Sequence, residues 1–199
     1  EEAKLYGHNA IHALIAYLAD WRGYLTVAEA GADPWIMQTA RRAFIDESGA
    51  ALIRRHAGLG DPLFTPAGWA RYAADLLERM TNPHLNDRVE RVGRDPLRKL
   101  GFDDRLYGAM TIALEQGVEP RSLALGAAAA LLSIVRRRGE PGSLFAGLSA
   151  DVLDENHLGE RLGRLWDRSA ADPARRERFA PRLIALSAAA LRELQGMKG

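Results

Sequence analysis

With 199 residues, 47% of them hydrophobic, 27% charged and a formal net charge of +1, the sequence has ordinary globular composition and is long enough for one domain over 1–199. Its near-balanced charge gives no sign of a nucleic-acid or membrane-surface partner. Cysteine is absent, which removes disulfides and thiolate metal sites and agrees with a cytoplasmic protein.

Nearly every segment repeats its apolar residues at helical spacing. Residues 2–21 place Leu5, His8, Asn9, His12, Ile15, Ala16 and Ala19 on adjacent turns, and Gly23 ends the run. Asp33-Pro34 sets an N-cap before proline at the first helical position and opens a helix to about Arg55. Thr65-Pro66 repeats that signal for a helix to about Met80, and Asn82-Pro83 then breaks the chain. Helices are expected next at about 103–117, ended by Gly117 and Pro120, and at 121–138. The apolar run 123–135 inside the latter has 13 residues, too short to span a bilayer, and reads as a buried core helix. Glu140-Pro141-Gly142-Ser143 is a turn, followed by amphipathic helices at about 149–168 and 173–195, the second capped by Asp172-Pro173. No stretch alternates as a strand does, so the expected fold is all-α, a multi-helix bundle-like domain without repeats or long linkers. No signal-peptide pattern opens the chain. It begins without methionine, which is read as residues removed or lying upstream.

The segment 82–104 departs from this pattern. It holds two prolines, two glycines, and Arg88, Arg91, Arg94, Arg98 and Lys99 within twelve positions. A basic, irregular loop on a helical scaffold is a natural place for a binding site. The lysines point the same way. Of 27 basic residues 24 are arginine, and the three lysines are Lys4, Lys99 and Lys198. Arginine stays protonated, whereas a buried lysine can lose its proton and act as a base, so a retained lysine is a candidate for work arginine cannot do.

On an α-helix at 100° per residue, with Lys4 as zero, His8 falls near ~40°, Glu1 near ~60°, His12 near ~80° and Asn9 near ~140°. These side chains would share one face, with apolar helix surface beyond them. A lysine against such a surface has its charged form disfavoured and could take the proton of an alcohol. Asn9 and His12 could donate hydrogen bonds to the same oxygen as it becomes a carbonyl. His8 and His12 stand at i, i+4, a zinc-competent spacing, but neither cysteine nor a His-Glu-x-x-His pattern supports a metal, and none is expected.

The spacing Lys4-x4-Asn9-x2-His12 resembles the lysine–asparagine–histidine motif of the polyol-specific long-chain dehydrogenases. Asp46-Glu-Ser-Gly-Ala, Asn82-Pro-His-Leu and Arg88-Val-Glu-Arg-Val-Gly-Arg-Asp-Pro-Leu-Arg-Lys-Leu stand in the order found in the C-terminal domain of that family, nearest to its mannitol-1-phosphate 5-dehydrogenases. The resemblance covers most of residues 1–135. It implies that Lys4 is the general base in alcohol oxidation and the general acid in ketone reduction. Asn9 and His12 would polarise the reacting oxygen, Glu1 would exchange protons with solvent, and Arg91 and Lys99, eight apart, would bind the polyol. The added charge of Arg94 and Arg98 would suit a phosphate dianion. His8 lies outside the motif and is read as structural.

The resemblance also implies NAD as cofactor, held by a nucleotide-binding Rossmann domain or subunit. Gly58-Leu-Gly60 lacks the third glycine of a dinucleotide fingerprint, and Asp61-Pro62 interrupts the chain directly after it. The chain alone is therefore expected neither to hold NAD tightly nor to turn over. The leading reading is the C-terminal substrate-binding and acid/base domain of an NAD-dependent polyol oxidoreductase acting on mannitol 1-phosphate and fructose 6-phosphate. The alternative is a stand-alone helical module that binds a sugar phosphate or serves assembly without catalysis.

Overall fold

A computed structural model describes residues 1–136, 144–145, 154–167 and 171–197. The turn expected at 140–143, the first residues of the helix expected from 149, and Lys198 lie outside the described residues.

The chain opens as a π-helical segment, Ala3–Asn9, that runs without a break into α1 (Ala10–Arg22). Gly23, at φ 87°, ends α1 in the left-handed conformation that glycine adopts without penalty. The short α2 (Val27–Gly31) carries a full capping box between Thr26 and Glu29. Next come α3 (Pro34–Arg42), a second π-helical segment (Ala43–Gly49) and α4 (Ala50–Arg55), which together fill the single helix expected from Asp33 to Arg55. Two 3₁₀ turns lead to α5 (Pro66–Met80). The caps act as their sequence indicates. Asp33 accepts the N–H groups of Trp35 and Ile36, Thr65 that of Gly68 and Asp172 that of Ala174, each with proline at the first helical position.

The basic segment is more ordered than a loop. It holds a 3₁₀ turn (Pro83–Leu85), α6 (Val89–Val92) and α7 (Pro96–Lys99), the two helices separated where Asp95 takes a positive φ of 53°. The remaining helices are α8 (Arg105–Glu115), α9 (Arg121–Arg136), α10 (Glu155–Trp166) and α11 (Pro173–Gly196). Among the described residues the architecture is all-α, and the one β-type pairing is an isolated antiparallel bridge between Thr26 and Arg88. None of the described helices is long and apolar enough to cross a membrane.

The core is built on α9, whose residues from Ser122 to Val135 are all buried. It packs along α1 on one side and α11 on the other. A helix apolar on all sides belongs at such a centre. Close approach depends on Gly126, where an added Cβ would stand 2.8 Å from the Leu14 side chain. The N-terminus of α9 is closed by Glu47 of the second π-helical segment, whose carboxylate accepts the N–H groups of Ser122 and Leu123.

Candidate active site

The two π-helical segments pack against each other, and side chains hold them there. Ser48 donates its hydroxyl to the Tyr6 carbonyl at 2.7 Å, and Tyr6 in turn donates to the Asp103 carbonyl at 3.1 Å. Gly7 lies against the Trp69 and Phe44 rings. At the outer end, Glu2 meets His56 at 2.7 Å and Arg55 at 3.1 Å. Arg55 continues to Glu115, which Arg175 joins to Asp103. The first residues of the chain are thus tied to α4, α8 and α11. π-Helical turns are rare and recur at functional sites.

The segment ends at Asn9, beside a cavity of about 200 Å³. Its lining is Asn9, His12 and Ala13 from the first helix, Arg91 and Val92 from α6, Arg98 and Lys99 from α7, and Arg105 from α8. Five of the site residues expected from sequence therefore meet here: Asn9, His12, Arg91, Arg98 and Lys99. Tyr17 helps seat the basic segment by donating to the Gly93 carbonyl at 3.2 Å.

Lys99 is 7% exposed, and its ammonium donates to the Arg94 carbonyl. Burial, then the positive charges of Arg105 and Arg98, lower its pKa to about 8 against the opposing pull of Asp95 and Asp104. The His12 pKa is lowered to about 4, first by burial and then by His8, Arg91 and Lys99, so the ring is neutral at pH 7. Its Nε2 is buried without a hydrogen-bond partner among the described residues and lies 3.6 Å from Asp87 Oδ2. Asp87 also pairs with Arg91 one turn on, so a single carboxylate faces both. His8 stacks on His12 with ring centroids 6.2 Å apart. Among the described residues no group of three His, Asp or Glu side chains is arranged to hold a metal.

Three expectations change. Residues 3–9 are π-helical, so a rotation of 100° per residue does not apply to them. Lys4 and Glu1 line a second hollow of about 350 Å³ with Glu2, Leu5, Tyr6 and Asn9. Asn9 borders both hollows. Lys4 is exposed, and the burial expected of it belongs to Lys99 instead. Arg94 does not line the cavity: it is exposed and its Nε donates to the Arg91 carbonyl at 3.3 Å.

Sequence reasoning alone misses Asp87 and Arg105. Asp87 carries one usable signal, its i, i+4 spacing to Arg91. Arg105 stands one position past the basic segment, behind its own N-cap Asp104, and no local pattern marks it.

The Gly58–Gly60 stretch does not form a dinucleotide site. Gly58 and Gly60 lie in and just after a 3₁₀ turn that follows α4, no strand leads into them among the described residues, and the next residues form another 3₁₀ turn. No helix N-terminus is presented to a pyrophosphate there. A family model of the mannitol dehydrogenase C-terminal domain matches residues 1–141. That span contains the opening π-helical segment, both hollows and every residue that lines them. The chain belongs to the mannitol dehydrogenase C-terminal domain family, the helical half of polyol oxidoreductases.

Proposed function

We propose that the chain is the substrate-binding and acid/base domain of an NAD-dependent oxidoreductase that interconverts mannitol 1-phosphate and fructose 6-phosphate. The observation that carries the substrate class is the lining of the cavity: Arg91, Arg98, Lys99 and Arg105 surround the neutral side chains of Asn9 and His12. A free polyol offers hydroxyl groups alone, whereas a phosphate oxyanion forms charge-assisted hydrogen bonds with each cation it reaches.

The proton chemistry rests on Asn9 standing between the two hollows. A substrate with its reacting carbon at Asn9 has the cationic cavity on one side and Lys4 on the other. In oxidation a neutral Lys4 takes the hydroxyl proton; in reduction its ammonium returns one to the oxygen. The Asn9 amide and a His12 ring N–H stabilise the negative charge that develops on that oxygen. Glu1, beside Lys4 and exposed, passes the proton to solvent. Gly58 and Gly60 form no dinucleotide fingerprint among the described residues, so no hydride step is assigned to this chain's residues. The chain is expected to be inactive until joined by a nucleotide-binding domain, in one polypeptide or as a separate subunit. The absence of cysteine supports a cytoplasmic setting.

A thermal-shift measurement tests the substrate class. Mannitol 1-phosphate should raise the unfolding midpoint well above the value reached with equal mannitol. Equal shifts, or none from either ligand, would remove the phosphate assignment.

A further inference from the structure

Four cations line the cavity, but their neighbours differ. Arg91 pairs with Asp87, Arg98 with Asp95 and Arg105 with Asp104. Lys99 is held by a carbonyl. Three carboxylates against four cations leave the cavity wall with a surplus positive charge, and an oxyanion is the complement of such a wall. The cations also differ in how firmly they are held. The side chains of Arg91 and Arg98 are 61% and 60% exposed, whereas that of Arg105 is 20% exposed.

Arg105 is the first residue of α8, and its N-cap fixes it twice. Asp104 Oδ1 accepts the Arg105 backbone N–H at 2.7 Å and a guanidinium N–H at 2.8 Å. A guanidinium carries five N–H donors in a rigid fork, so this contact leaves others for a ligand. A side chain already ordered by its own backbone loses little freedom on binding. Arg105 also acts on the Lys99 ammonium more strongly than any other cation, ahead of Arg98. Arg94 is exposed, donates to the Arg91 carbonyl and does not line the cavity.

We propose, building on the phosphorylated-polyol reading above, that Arg105 is the specificity-determining residue of this cavity. Its guanidinium, with Lys99 and Arg98, grips the phosphate monoester, and Arg94 takes no part. Selection for the phosphorylated substrate then rests on a residue outside the arginine-rich motif. Arg91, already paired with Asp87 beside His12, serves the polyol hydroxyls instead.

Titration calorimetry on the 199-residue chain tests this with fructose 6-phosphate, fructose and inorganic phosphate as ligands. The wild-type chain should bind the ester more tightly than the free sugar. R105Q should weaken the ester by about tenfold or more, the loss of one strong charge-assisted contact, while fructose stays within about twofold. R105K, which keeps the charge and loses the fork, should give an intermediate loss and decides the matter if R105Q does not fold. R94Q should match the wild type for all three ligands. Inorganic phosphate should lose affinity in parallel with the ester in R105Q; an unchanged phosphate affinity would place the anion elsewhere. An ester preference untouched in R105Q and R105K, or lost equally in R94Q, overturns the assignment of Arg105 alone. A wild-type chain with no preference for the ester overturns the phosphate reading beneath it.

Discussion

Glu47 caps Ser122: its buried carboxylate accepts the Ser122 N–H at 2.6 Å across 75 residues of chain. The same carboxylate takes the Leu123 N–H at 2.8 Å. One side chain of the second π-helical segment thereby closes the first turn of the central helix. Helix N-termini leave their N–H groups unpaired, and here a buried end is satisfied by a residue distant in sequence. E47A should cost about 2–4 kcal/mol, since it strands two buried donors. E47Q, which keeps one acceptor, should cost less. Burial raises the Glu47 pKa above 4.5 despite the hydrogen bonds from Leu123 and Ser122. Its contribution is therefore full below the unfolded carboxylate value and declines as pH rises through the raised folded one. Denaturant unfolding across pH should show that decline in the wild type and a flatter profile in E47Q.

Gly49 ends the same segment in a place with no room for a side chain. An added Cβ would stand 2.2 Å from Trp69 Nε1 and 2.6 Å from the Phe44 carbonyl. Those two atoms are hydrogen-bonded to each other at 2.8 Å. G49A must therefore displace a buried indole or break its bond, at the upper end of the roughly 1–3 kcal/mol seen for overpacking. Chemical denaturation should show the loss, and an unchanged midpoint would mean that Trp69 can move aside freely.

Lys99 should make anion binding depend on pH. With a pKa lowered to about 8, it is a cation below that value and neutral above it. Affinity for fructose 6-phosphate should fall as pH rises through 8, steeply in the wild type and weakly in K99M. Arginine as a residue type stays protonated over that range, so the inflection belongs to the lysine. Calorimetric affinities on either side of pH 8 check this.

His12 should remain neutral through the physiological range. Its pKa, lowered to about 4 chiefly by burial, lies below the ordinary value of 6.5. A base depressed in the folded state adds stability above its unfolded pKa, and that contribution disappears as pH falls through the folded value. Nuclear magnetic resonance of the ring protons should show no titration of His12 near pH 6.5. H12Q should weaken the acid sensitivity of folding between about 6.5 and 4.

The helical layout is legible in the sequence because its signals are local. Asp33, Thr65 and Asp172 cap helices that their neighbouring prolines pre-set, and Gly23 stops α1 by the conformation only glycine takes freely. The π-helical segments are not legible, since their geometry is fixed by distant contacts such as Ser48 to Tyr6 and Gly49 against Trp69. That loss carries into the site. The wider turns carry Lys4, exposed, along a second hollow that it lines with Asn9. In the basic segment, α6 and α7 have four residues each, too few for a periodic signal. Composition marks the segment as basic, but only the fold distinguishes Arg98, which lines the cavity, from Arg94, which does not. The role of Arg105 depends on α8 turning back toward the first helix, a fact of packing with no local trace.

The proposed division of labour, in which this chain supplies the substrate grip and the proton step and the hydride is held elsewhere, has a direct test. The measurement is NADH-dependent reduction of fructose 6-phosphate, followed by nicotinamide absorbance, with the chain alone and joined to the nucleotide-binding domain of a mannitol dehydrogenase. The expected result is no turnover by the chain alone, turnover in the joined protein, and a loss of at least about a hundredfold in its K4M variant. Turnover by the chain alone, or a joined protein indifferent to K4M, would contradict this division of labour.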